Sequence, residues 1–154
     1  MLTTRTSGIT GSLRGLPPTF LPLSTRASHR SGISLPLEKR GRRGFRGYPI
    51  ATVAFYGPDD QRATKVAVGI ILVEGAEANP LQRWLSEDAD VRSDPDIARR
   101  ITEFIEIHAA KSVVLMDRII GCPHEEGVDY PQGTACPRCP FWANRDRWSG
   151  QVLP

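Results

Sequence analysis

The stretch Ile50-Ala51-Thr52-Val53-Ala54-Phe55-Tyr56-Gly57-Pro58-Asp59-Asp60-Gln61, continued by Ala63 to Val73, decides the fold. Ile50 to Tyr56 is short, β-branched and aromatic, which is the composition of a strand. Gly57-Pro58-Asp59-Asp60-Gln61 is turn chemistry. Ala63 to Val73 reads as a second strand. Side chains alternate along a strand, so Val66, Val68, Ile70 and Leu72 share one face. Strand, turn and strand together predict an antiparallel hairpin.

Downstream of the hairpin, residues 74–93 are polar and acidic apart from Leu81, Trp84 and Leu85. Their i, i+3, i+4 spacing predicts one short helical turn pinned to the core. Asp94-Pro95 opens the clearest helix: Asp94 can cap free backbone N–H groups, and proline suits the first helical position. Ile97, Ile101, Phe104, Ile105 and His108 recur at helical spacing and define its buried face. Lys111 ends it, and Ser112 to Met116 is an apolar run fit for a buried strand. The expected architecture is a small α/β (α+β) fold of ββαβ order, with one main helix on one face of the sheet and an irregular C-terminal loop.

Upstream, residues 1–47 are rich in Ser, Thr, Gly, Pro and Arg and lack apolar periodicity, so they are expected to form a disordered basic tail. The folded domain is expected over 48–154. The chain's net charge of +3 divides unevenly across that boundary, about +8 in the first 47 residues and −5 in the rest. The basic character therefore belongs to the tail, and a nucleic-acid role cannot be argued from the whole-chain charge. Residues 1–37 also carry Arg, Ser and Thr without an acid, as transit peptides do, although Gly8, Gly11, Gly15, Pro17, Pro18 and Pro22 would break an amphipathic helix there. No run approaches the roughly 18 apolar residues that span a bilayer, so no membrane partner is expected.

The three cysteines of the chain lie near its C-terminus with a histidine among them: Cys122, His124, Cys136 and Cys139, spaced C-x-H-x11-C-x2-C. Four such donors are the number a closed tetrahedral zinc site uses. In an extended segment Cys122 and His124 point the same way, and Cys136-Pro137-Arg138-Cys139 is a short turn able to aim two thiolates at one point. An odd number of cysteines argues against a disulfide framework and for a reducing compartment. A zinc-binding loop is thus expected over 121–142. The zinc would be structural and would hold Phe141, Trp142 and Trp148 against the sheet. Interleaved with Arg145 and Arg147, these aromatics also have the pattern of a single-strand-binding surface. The expected function is a zinc-stabilised interaction protein with a protein or nucleic-acid partner.

Two resemblances bear on this segment. Gly121-Cys122-Pro123-His124-Glu125-Glu126-Gly127, Asp129-Tyr130-Pro131 and Cys136-Pro137-Arg138-Cys139-Pro140-Phe141-Trp142 resemble a small bacterial protein family to which no activity is assigned. That resemblance spans roughly residues 48–148 and implies a bacterial cytoplasmic protein. The H-x-E of His124-Glu125-Glu126 followed by Cys136-x-x-Cys139 also resembles the zinc nucleobase deaminases. It implies an alternative in which His124, Cys136 and Cys139 bind zinc and Glu126 is the proton shuttle of a hydrolase. Ala135 stands where that motif has proline, the interval from Glu126 to Cys136 is short, and Cys122 could take the position a water needs. A third possibility treats Cys136 and Cys139 as a redox dithiol with Arg138 favouring a thiolate. No strand–helix frame of a thioredoxin-like site surrounds it.

Overall fold

A computed structural model describes residues 33–154 of the chain. Six elements follow in the order α1 (Leu35–Gly41), β1 (Ile50–Tyr56), β2 (Lys65–Ile71), β3 (Leu81–Leu85), α2 (Pro95–Ile107) and β4 (Ser112–Ile119). The strands form one mixed sheet in the order β3-β2-β1-β4. β1 runs antiparallel to β2 and parallel to β4, with a register shift between Val53 and Phe55. This is an α+β fold with one main helix.

The hairpin and the main helix form where the sequence places them. Ala51, Val53 and Phe55 pair in register with Ile70, Val68 and Val66, so all six point to the same side. They are buried there together with Ile97, Ile101 and Ile105 of α2. Fully burying side chains of this size contributes about 1.5–3 kcal/mol each. Asp94 caps α2 as its side chain accepts from the N–H groups of Asp96 and Ile97, satisfying donors that a helix start leaves free. At the other end His108 takes the C-cap, its Nδ1 at 2.8 Å from the Phe104 carbonyl. It is a core-edge residue whose ring packs against that of Phe104.

Three expectations are corrected. The helical turn over Leu81, Trp84 and Leu85 is instead the edge strand β3, paired antiparallel with β2 from Lys65↔Leu85 to Gly69↔Leu81. Trp84 turns inward, edge-on to Phe104 of α2, while Leu81 and Leu85 face out. Pairing satisfies the outer backbone edge of β2, which a helical turn would have left open. Leu72 lies beyond the end of β2 and is exposed, whereas Val66, Val68 and Ile70 are buried. The expected disordered tail does not extend to residue 47, because Ile33 and Leu37 join the main core and α1 packs on β4. Arg46 N–H and the Gly47 carbonyl are then tied to the Ser112 hydroxyl, and Arg40 pairs with Glu106 of α2. The remainder of the expected tail lies outside the described residues. Among the described residues no helix is long and apolar enough to cross a membrane.

Candidate metal centre

β4 delivers the C-terminal segment to the far end of the hairpin. The Ile120 N–H donates to the Phe55 carbonyl, and the Gly57 N–H donates to the Gly121 carbonyl at 2.9 Å. The next residue, Cys122, is thereby set beside the β1–β2 turn. Gly57 is required there: a Cβ would lie 2.0 Å from the Arg62 carbonyl oxygen. The Gly57 carbonyl in turn accepts from Trp142 Nε1 at 2.8 Å, so one turn residue anchors both ends of the segment.

On the sheet face opposite α2, Lys65 holds the same loop. It is buried, and its ammonium donates to the Pro123 carbonyl and to Glu125 Oε1, both at 2.9 Å. Arg83 of β3 reaches the same carboxylate oxygen at 2.7 Å. These contacts, the Lys65 hydrogen bond first among them, hold the Glu125 carboxyl below its ordinary value against the opposing effect of burial. A buried lysine needs such partners, so the clamp fixes the residues on either side of His124.

The four expected residues converge. One donor atom from each of Cys122, His124, Cys136 and Cys139 lies within 4.8 Å of all the others, with Cys136 and Cys139 buried. His124 Nδ1 is 3.3, 3.5 and 3.4 Å from the sulfurs of Cys122, Cys136 and Cys139. A tetrahedral ion with bonds of about 2.3 Å to sulfur and about 2.0–2.1 Å to nitrogen sets sulfur–nitrogen edges of about 3.6 Å. The cluster can therefore hold a metal ion with little rearrangement. Period-two spacing has brought Cys122 and His124 to one point, and the His124 N–H also donates to the Cys122 sulfur at 3.3 Å. Across the loop Cys136–Cys139 closes a turn through Cys139 N–H to the Cys136 carbonyl, and a single 3-10 turn, Pro140–Trp142, follows.

The three thiols differ. Burial would raise Cys136, but the amides of Arg138 and Cys139 and the neighbouring thiols bring it below its ordinary value. Burial raises Cys139, and the neighbouring Cys122 and Cys136 raise it further. Burial raises Cys122 as well. A bound cation would favour the ionised form of all three.

Around the cluster, Tyr130 joins Cys136 and Cys139 in a second small core. Burial raises its phenol, the Cys122 charge adds to this, and Arg147 opposes it. Trp142 packs against both this core and the main one. Phe141 stands edge-on to Trp142 and carries the Arg145 guanidinium 4.2 Å above its ring. Trp148, expected against the sheet, is instead 66% exposed. Glu126 lies at the margin of the cluster. Its Oε1 accepts from the Gly133 N–H at 2.6 Å, and its Oε2 is 4.0 Å from Arg147. Lys65 and Arg83 were not legible as site residues, because a lysine or arginine in a strand does not reveal its partner.

Comparison with known proteins finds no matching family model, no matching curated protein and no matching solved structure. The functional reading therefore rests on this geometry.

Proposed function

We propose that the chain is a zinc-stabilised interaction protein of the cytoplasm, in which Cys122, His124, Cys136 and Cys139 bind one structural zinc and the loop they close presents a surface to a protein or nucleic-acid partner. The observation that carries this reading is the convergence of four soft donor atoms, all within 4.8 Å of one another. Three thiolates and an imidazole are the donor set of a closed tetrahedral zinc site. When bound, zinc would cross-link the two ends of a loop that has few apolar side chains of its own. Three free thiols fit a reducing compartment.

The hydrolase alternative needs an open coordination position and a mobile Glu126. Against it, Cys122 stands as close to His124 Nδ1 as Cys136 and Cys139 do. The Glu126 carboxylate is already engaged by the Gly133 amide. Both observations support the structural role.

The test is zinc content and hydrogen exchange on the purified chain. We expect one zinc per chain, and Cys139→Ser should lose it together with amide protection across residues 121–142. A Cys139→Ser chain that keeps stoichiometric zinc and a protected loop would contradict the proposal.

A further inference from the structure

Beside the cluster, and bounded on one side by Cys122 and Cys136, lies a cavity of about 330 Å³. That volume is within the range of small-molecule sites. Glu126, Tyr130, Trp142, Asn144, Arg145 and Arg147 supply its chemistry. Several of these groups have hydrogen-bonding capacity that the protein does not use. Tyr130 is only 8% exposed, yet among the described residues its hydroxyl has no hydrogen-bond partner. Among the described residues the one fully buried side-chain oxygen without a partner is Ser34 Oγ, so the Tyr130 hydroxyl is reached by solvent and is available to a ligand in the cavity it lines. The Asn144 side-chain amide is likewise unpartnered among the described residues. Its backbone is held in the left-handed region at φ 59°, and its carbonyl accepts from the Leu153 N–H.

Charge is also unbalanced there. Arg145 donates through Nη1 to the Gly150 carbonyl and, among the described residues, pairs with no carboxylate. Among the described residues Arg147 forms one ion pair, with Glu126 at 4.0 Å, which is beyond a good hydrogen bond. Two guanidiniums therefore meet one carboxylate, and that carboxylate is already occupied by an amide. Guanidinium is the side chain best shaped to take a phosphate. The Trp142 ring forms part of the wall and is locked by its N–H bond to Gly57, so it offers a fixed aromatic surface on which a flat ring can stack.

We propose that this cavity binds a nucleotide, with its phosphate at Arg145 and Arg147, its base along Trp142, and Tyr130 and Asn144 as hydrogen-bond partners. The nucleotide can be free or one residue of a single strand. The proposal rests on the metal-stabilised reading, because the walls belong to the loop that the metal closes.

The experiment is calorimetry on the zinc-loaded full chain with adenosine and uridine monophosphates, inorganic phosphate and a short oligo-dT strand. We expect saturable binding of a nucleotide or strand, with inorganic phosphate competing only weakly. Tighter binding of the strand identifies a strand ligand; equal or tighter binding of the mononucleotide identifies a free one. Arg147→Gln should weaken binding about tenfold or more, as loss of a charged hydrogen bond does, and Tyr130→Phe by about two- to tenfold. Arg147→Lys, which keeps the charge, should recover part of the loss. Melting temperature and zinc content are followed for each variant, so a folding defect is seen as such. Absence of binding by every probe, or affinity unchanged in both Arg147→Gln and Tyr130→Phe, would overturn the proposal. Zinc retained without nucleotide binding removes the cavity proposal alone. Nucleotide binding by a chain without stoichiometric zinc removes the metal reading alone.

Discussion

Between Ile50 and Ile119 the chain buries Val53, Phe55, Val66, Val68, Ile70, Ile101 and Ile105 in one continuous core. From Cys122 to the C-terminus the buried apolar side chains are Tyr130, Cys136 and Cys139. The first region is regular because alternating and helical apolar patterns fill a common interior. The second has a single 3-10 turn and gathers around a point where four donor atoms meet. Apolar burial is spread over many side chains, so losing one weakens the body without dissolving it. A cross-link through one ion concentrates stability, so losing it should release the whole loop.

That contrast would be broken most severely by removing the proposed metal. Structural zinc contributes on the order of 10–16 kcal/mol in small peptides, as much as a whole domain's stability. Chelation should abolish amide protection over residues 121–142 and leave β1, β2 and α2 protected, as read by hydrogen exchange. Collapse of both regions together would show that they are not separately stabilised.

The converse substitution is Ile105→Ala. Ile105 is fully buried, and isoleucine truncation in a core costs about 2–5 kcal/mol. Denaturant unfolding should register that loss while zinc stoichiometry stays unchanged.

How far the two regions could be read beforehand follows from the same contrast. Val66, Val68 and Ile70 announce β2 because alternation is imposed by burial of one face. Asp94-Pro95 announces α2 because capping chemistry is local. β3 is not legible in this way. Leu81, Trp84 and Leu85 suit a helical turn as well as a strand, and only Trp84 ends inside, so pairing with β2 decides. α1 hides within a basic, proline-containing stretch, where Leu37 and the preceding Ile33 supply its contribution to the core. Its local signals are a proline in the first turn, Pro36, and Glu38 there with Lys39 and Arg40 in the last turn, the order a helix dipole favours. The four cluster residues are legible because few donor types bind metal and their spacing is restrictive. Lys65 is not, since its partners lie about sixty residues away, at Pro123 and Glu125.

The junction between the regions can be tested through Lys65. Lys65→Met removes both bonds to the loop while keeping the apolar stem, and should cost about 1–3 kcal/mol. A double-mutant cycle with Glu125→Gln should show coupling between the two. Additive effects would mean that the clamp does not join sheet and loop.

The smallest effect belongs to the body alone. Burial would raise the Asp90 carboxyl, but hydrogen bonds from Arg92 and the Ala63 amide hold it below the usual value near 3.9. A carboxyl depressed in the folded state adds stability that is fully present above the unfolded value and lost as pH falls through the folded one. The stability difference between the native chain and Asp90→Asn should therefore be constant near neutrality and shrink below about pH 4. It will be modest, because the pair is partly exposed. A difference that grows on acidification would contradict the assignment.

X-ray absorption at the zinc edge of the purified chain tests the metal centre most directly. A first shell of three sulfurs at about 2.3 Å and one nitrogen at about 2.0–2.1 Å, with no oxygen, is the expected result. Two sulfurs, one nitrogen and an oxygen would leave Cys122 unbound, open the site to water, and contradict a structural zinc.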